Sequence, residues 1–363
     1  MIDASMISAA VVPAATVSAA LPAPDVALID WTELGVTLLK IVIIFGGLIN
    51  VGALMTLAER KFSAWMQYRI GPNRVGPWGL LQPLADGVKF IFKESVVPAG
   101  ANRALFRWAP MMAALPAFLT IAVIPFSTDI VIGGRNFGPL AIATIDIGVL
   151  YILAIAGLSV YGVILGGWAS NSKYSLMGGL RASAQMISYE LTLILTILAV
   201  VALTGTLDLH LINEHQRAVE DWNIWRQPLA FLLFVVAMFA ETNRHPFDFA
   251  ECESELVAGF HTEYSAMKFA LFFLGEYSAM TVISCLAVVL FLGGPSVPFW
   301  VDAPWFIGFG AFLAKAGFFL FLFIWVRWTL PRFRFDQLMR LGWKVMLPLA
   351  LVNLVATGVL ISI

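Results

Sequence analysis

The stretch AETNRHPFDFAECESELVAGF, residues 240–260, gathers five acids into an otherwise oily chain: Glu241, Asp248, Glu251, Glu253 and Glu255. Crowded carboxylates cannot all ionise freely, so some hold protons toward neutrality and the group titrates as a unit. That is proton-handling chemistry. Pro246 forbids a helix from simply continuing through the stretch. If 247–257 is helical, Asp248, Glu251 and Glu255 share a face; if it is extended, Glu251, Glu253 and Glu255 share one. Either spacing makes several carboxylates converge. Ordinary solvated loops also carry acids, but Phe247, Phe249, Leu256, Val257 and Phe260 among these mark a packed segment. His245 and His261 flank the cluster, and with only Cys252 between them they lack the spacing of a metal site.

Further ionisable residues fall inside apolar runs, where charge costs several kcal/mol unless paired, neutralised or hydrated. Glu190 follows RASAQMISY, about two turns into such a run. At helical spacing Ser183, Ile187 and Glu190 share one face, while Gln185, Tyr189, Thr192 and Thr196 line another. Glu276 and Lys315 each sit near the middle of a run, and Asp146 near an outer end. Two readings of Glu276 and Lys315 stand side by side: a buried ion pair that fixes packing, or membership of a proton-conducting polar chain. Lys40 reads as a snorkelling or locally paired lysine.

Composition fixes the solvent for which these groups are written. The chain is 60% hydrophobic and 12% charged, about half the charge of a soluble domain. Its net charge of -1 gives nucleic acid nothing to bind. Cys252 and Cys285 form no CxxC pair, and no GxGxxG opens a helix, so redox cofactors and nucleotides belong on other polypeptides.

The elements that must position the acids follow from runs of about 20 apolar residues, the length that spans a bilayer. They lie near 32–58, 104–127, 144–167, 183–204, 226–241 (short), 266–292, 305–329 and 343–362, which predicts an all-α polytopic membrane protein of about eight transmembrane helices. Residues 1–31 read as an N-terminal arm; with no Lys or Arg before Lys40 they lack the basic start of a signal peptide. Residues 32–363 form one helical domain with loops near 59–103, 168–182, 241–265 and 330–342. Nearly all loop Lys and Arg fall on these connections, while the opposite side holds Arg135, Arg217 and Arg226. The positive-inside rule therefore puts the acid-rich loop on the cytoplasmic side and both termini outside. Within the first loop, Leu81, Leu84, Val88 and Ile91 form one stripe and Gln82, Asp86, Lys89 and Lys93 another, the pattern of an amphipathic interfacial helix.

Four long strings carry a family resemblance: AERKFSAWMQYRIGPNRVGPWGLLQPLADGVKFIFKE, GGWASNSKYSLMGGLRASAQMISYE, ETNRHPFDFAECESELVAGFHTEYSAMKFALFFLGEY and WVRWTLPRFRFDQLMRLGWKVMLPLAL. From about residue 32 to the end, the chain resembles the membrane-embedded H subunits of bacterial NADH-quinone oxidoreductase, the counterparts of NADH dehydrogenase subunit one in mitochondrial complex I. The resemblance implies a subunit of a proton-translocating NADH:ubiquinone reductase in the bacterial inner membrane, or in the mitochondrial inner membrane if organellar. It would have no redox cofactor of its own; FMN and iron–sulfur clusters would sit on peripheral-arm partners, and antiporter-like subunits would continue the membrane arm. By motif, Glu59, Arg60, Asp86 and the loop residues Glu241, Arg244, Asp248, Glu251, Glu253 and Glu255 would surround the ubiquinone chamber. Glu190, Glu276, Lys315 and Asp146 would belong to the proton-coupling path. Two other readings stand beside it: the homologous subunit of a membrane-bound hydrogenase, and a stand-alone ion transporter. Against the latter, the sequence shows no inverted repeat and no pair of broken helices.

Overall fold

The computed structural model describes residues 31–250, 253–298, 300 and 303–362. The first thirty residues, Glu251 and Cys252 lie outside that set, and Glu253 is described for its backbone alone. Among the described residues thirteen α-helices follow in chain order: α1 (Trp31–Met66), α2 (Gln82–Phe92), α3 (Arg103–Ile121), α4 (Gly148–Ala169), α5 (Lys173–Thr204), α6 (Leu209–Glu214), α7 (Asn223–Arg226), α8 (Pro228–Glu241), α9 (Glu253–Leu256), α10 (Ala266–Phe291), α11 (Trp305–Thr329), α12 (Phe335–Leu341) and α13 (Leu347–Ser362). A π-helical turn, Gly342–Met346, welds α12 to α13. A two-residue hairpin, β1 (Val131–Ile132) with β2 (Arg135–Asn136), caps the end of the bundle where α1 begins.

Among the described residues, seven helices are long and apolar enough to cross a membrane, counting α12 to α13 as one span. The fifth run, 226–241, yields α8, whose 14 residues cover about 21 Å, short of a hydrocarbon core of about 30 Å. The shortfall is tolerated because one face of α8 packs into protein, where Ala230, Phe234, Ala237 and Met238 are fully buried, and α6 and α7 precede its start in the chain. The centre of the bundle is α10, buried over most of its length from Phe272 to Phe291. By contrast α1 and α13 present broad apolar faces outward, including Leu38, Leu39, Val42, Val352, Val355 and Leu360. Such surface suits lipid or neighbouring membrane subunits, where Leu and Val lose nothing by staying outside a protein core.

Several boundaries differ from the apolar runs, and two of them shape the site. Helix α1 continues eight residues past residue 58, carrying Glu59, Arg60 and Lys61 on its last turns. Helix α5 begins at Lys173 rather than 183, so its connection to α4 shrinks to residues 170–172. Hydropathy misses the added turns because KYSLMGGLRA is small and polar. Those turns are helical because they pack: a Cβ at Gly178 would lie 2.6 Å from the backbone of Gly259, so this helix end and the acid-rich loop touch main chain to main chain.

Candidate coupling site

At the end of α1, Glu59 is almost fully buried, 8% exposed. Its Oε1 accepts from Arg244 Nη1 at 3.1 Å and from Arg327 Nη1, while Oε2 accepts from the Tyr277 hydroxyl at 2.5 Å. These partners come from the turn after α8, from α11 and from α10. Arg244 reaches onward: its Nε stands 2.5 Å from Glu276 Oε1, and its guanidinium lies 4.6 Å above the Tyr277 ring. That contact is a close ion pair rather than an aligned hydrogen bond, since Nε and Nη2 make none. Burial by itself would push the Arg244 pKa down, but Glu276, Glu59 and Tyr277 together raise it above its ordinary value. The guanidinium is therefore a fixed charge that joins two chain-distant carboxylates.

Glu276 also lines a cavity of about 140 Å³ among α3, α4, α5, α10 and the end of α8. Glu190 and Glu241 line the same space, with Thr242, Ser159 and His261. Glu190 lies against bare backbone: a Cβ at Gly157 would come within 2.8 Å of its Oε1. One turn further along α4, Gly162 lets that helix approach α3, where a Cβ would meet the Ala113 nitrogen at 2.4 Å. Oε2 of Glu241 is sealed from solvent and has no hydrogen-bond partner. A buried polar atom without a partner is costly and needs an explanation beyond packing.

Asp248 and Glu255, the other acids of the opening stretch whose side chains are described, do not join this group. Asp248 accepts from Arg332 at 2.9 Å and lies 3.2 Å from His245, clipping the loop to the segment after α11. Phe247 stacks on Phe333 in the same clip, with ring centroids 5.6 Å apart. Glu255 pairs with Arg181 of α5 at 2.5 Å in a half-exposed contact. The expected sharing of a face is thus corrected for Asp248 and Glu255: each turns to a different cation. Linear spacing could not reveal this, because the cations that draw them apart come from distant segments. The acids that do meet are Glu190, Glu241 and Glu276, from three helices. Glu251 lies outside the described residues, as does the side chain of Glu253.

Asp86 sits on α2, held by Arg60 at 2.6 Å with Lys89 at 3.6 Å. That pair, together with Lys61 donating to the Trp78 carbonyl, ties α2 and the turn before it to the end of α1. The amphipathic pattern is realised with its apolar side open: Leu84, Val88, Ile91 and Phe92 are all exposed.

Two expected path members stand apart. Lys315 donates to the carbonyls of Leu292 (2.7 Å), Gly294 (3.0 Å) and Ser296 (2.7 Å) and lies 4.4 Å from the Trp222 ring. It caps the turn that follows α10, as a cation at a helix C-terminus should. The alternative of a Glu276–Lys315 ion pair is therefore corrected: Glu276 pairs with Arg244 instead. Asp146 is exposed, two residues before α4 at the hairpin end of the bundle. Lys40 is locally held there, donating to the carbonyls of Phe137 and Pro139 at 2.8 Å each. Among the described residues no cluster of His, Cys, Asp or Glu could hold a metal ion.

A family profile described as NADH dehydrogenase matches residues 39–358. Curated relatives match along nearly the whole chain. The NADH-quinone oxidoreductase H subunit of Leptospira biflexa is 52% identical over 332 residues, covering 88% of this chain and 93% of its own. An H subunit of the NADH-quinone oxidoreductase of Geobacter metallireducens is 52% identical over 326 residues, covering 90% and 96%. Its namesake in Cytophaga hutchinsonii is 52% identical over 309 residues, covering 84% and 90%. The chain belongs to the family of NADH-quinone oxidoreductase H subunits. It is accordingly a multi-pass membrane protein and a membrane subunit of complex I.

Within this member of the H-subunit family, sequence reasoning overlooked two partners of the buried carboxylates. Tyr277 adjoins Glu276 in sequence yet bonds Glu59, and a tyrosine in the middle of an apolar run was the available signal. Arg327 stands at the end of the 305–329 run, and the structure turns it onto Glu59.

Proposed function

We propose that this chain forms the ubiquinone chamber where the membrane and peripheral arms meet, and couples quinone reduction to proton translocation across the bacterial inner membrane. Reduction of a quinone to a quinol takes up two electrons and two protons. The electrons would arrive from NADH through FMN and iron–sulfur clusters on peripheral-arm subunits, and the antiporter-like membrane subunits would continue the charged path.

The observation that carries the proposal is continuity of charge: Glu59 to Arg244, Arg244 to Glu276, and Glu276 into the cavity shared with Glu190 and Glu241. One end of that series lies beside α2, whose open apolar face and Arg60–Asp86 pair suit the mouth of a tunnel for a greasy quinone. The other end is a set of carboxylates in protein interior, where a change of charge is felt. At an effective dielectric of about 20, a unit charge arising about 12 Å away shifts a carboxylate by about 1.4 kcal/mol, close to one pKa unit. That is enough to draw a proton onto Glu241 or Glu190 during turnover. It biases a switch and does not supply a whole pumping stroke. Lys315 and Asp146 sit outside this series, and the role proposed here rests on the carboxylates.

The reading is tested by photolabelling. In the assembled complex, an azido-quinone should label peptides between residues 59 and 92 or between 241 and 261, and a quinone-site inhibitor should suppress that label. Labelling confined to other subunits, or insensitive to the inhibitor, would remove the chamber from this chain.

A further inference from the structure

Gln185 of α5 is fully buried, and its side-chain nitrogen donates to two carbonyls, Ala240 and Phe247, at 2.8 Å each. Those carbonyls are the two ends of the turn that leaves α8. Inside it the Arg244 amide donates to Phe239 O at 3.1 Å, the Phe247 amide donates to Arg244 O at 2.9 Å, and Asn243 adopts the left-handed region at φ 52°. Glu241 follows Ala240 directly, Arg244 lies between the ends, and Asp248 follows Phe247. A primary amide has two donor hydrogens, and here both are spent across the turn, which also fixes which way the amide faces. Its own oxygen, Oε1, is buried without a partner, so the side chain serves the turn and makes no other hydrogen bond.

We infer that Gln185 is a positioning residue: it sets the width of the 240–248 turn, and so places Glu241 on the cavity beside Glu190 and Arg244 on Glu59 and Glu276. The inference rests on the coupling role proposed above for those acids. The same helix grips the neighbouring segment one turn later, where the Tyr189 hydroxyl donates to Leu338 O at 2.9 Å and its ring lies 5.9 Å from Phe247. Helix α5 thus carries Glu190 and also holds the frame in which Glu241, Arg244 and Asp248 stand. Without the Gln185 donors, two buried carbonyls lose their partners and the turn can relax. The separations among the cavity acids then change, and with them their joint titration.

The experiment compares Gln185→Met and Gln185→Asn in the complete NADH-quinone oxidoreductase, with Glu241→Gln alongside. Met keeps the volume and has no donor; Asn keeps the amide but is one methylene shorter and reaches at most one of the carbonyls. Inhibitor-sensitive NADH–quinone activity is measured across pH 6 to 9 and divided by NADH–ferricyanide activity, which counts assembled complex. Gln185→Met is expected to lower that ratio about tenfold, in the range that small misplacements of reacting groups produce, and to displace the pH optimum. Gln185→Asn should fall between Met and parent. A parental ratio and pH profile in Gln185→Met, or a loss that tracks assembly alone, overturns the inference. Should Gln185→Met fail to assemble, Gln185→Asn decides on the same two readings. Glu241→Gln separates the two claims. If it alone departs from the parent, Gln185 has no positioning role and the coupling reading stands; if both variants are parental, both claims fall. A displaced profile in Gln185→Met beside a parental Glu241→Gln also overturns the inference, because Gln185 would then act through some other group.

Discussion

Replacing Arg244 with Met withdraws the cation that touches both Glu59, at 3.1 Å, and Glu276, at 2.5 Å. At an effective dielectric of about 20, unit charges about 3 Å apart attract by about 5.5 kcal/mol. Part of that is offset by the cost of burying the ions. Breaking a buried pair from one side nonetheless costs about 3–5 kcal/mol, because the abandoned charge stays in protein. Arg327 keeps Glu59 compensated, so the larger loss falls on Glu276. A loss of about 3 kcal/mol in the organisation of the site corresponds to roughly a hundredfold in rate. Arg244→Met should therefore lower inhibitor-sensitive quinone reduction by about two orders of magnitude per assembled complex, with NADH–ferricyanide activity retained. Adding Glu276→Gln removes the charge that Arg244 had balanced, and the double variant should recover about tenfold of that loss. A single variant within about twofold of the parent, or strictly additive effects of the two substitutions, would refute the argument that this guanidinium joins the carboxylates into one unit.

Two further substitutions bracket the site. Asp86→Asn breaks the contact with Arg60 that ties α2 to α1, so quinone reduction should fall while NADH–ferricyanide activity stays near parental; equal loss of both would mark failed assembly and no tunnel mouth at α2. Lys315→Met leaves the carbonyls of Leu292, Gly294 and Ser296 uncapped, so the yield of assembled complex should drop while the normalised rate and its pH profile hold. A displaced pH profile would return Lys315 to the proton path.

The membrane bundle was legible because lipid imposes a length on apolar runs, and nearly every run became a helix. What escaped was helix built on small and polar residues. The first ten residues of α5 pack where the Gly178 backbone lets the acid-rich loop approach at Gly259, a tertiary effect that no hydropathy window contains. The site was legible by residue type but not by grouping. Glu190 and Glu276 stand out in sequence as charges in apolar runs, where lipid offers ionised groups no partner, and Glu241 as a member of the acid-rich stretch. Their assembly into one cavity depends on which faces of α5, α8 and α10 meet. The nearer neighbours in sequence, Asp248 and Glu255, are drawn away by Arg332 and Arg181. Lys315 shows the same limit: its sequence position places a lysine within an apolar helix, but not the turn of Leu292, Gly294 and Ser296 that it caps.

The central claim is that the cavity carboxylates exchange protons in step with quinone reduction, and Glu241→Gln tests it most directly. Gln keeps the shape of the side chain that turns a sealed oxygen into the cavity, and it abolishes titration. Membranes carrying the variant would be assayed for inhibitor-sensitive NADH–quinone activity from pH 6 to 9, normalised to NADH–ferricyanide activity. A reduced rate with a displaced pH optimum is the predicted result, with Glu241→Asp closer to the parent because it keeps the titratable group. A Glu241→Gln enzyme that matches the parent in both rate and pH profile would contradict the account.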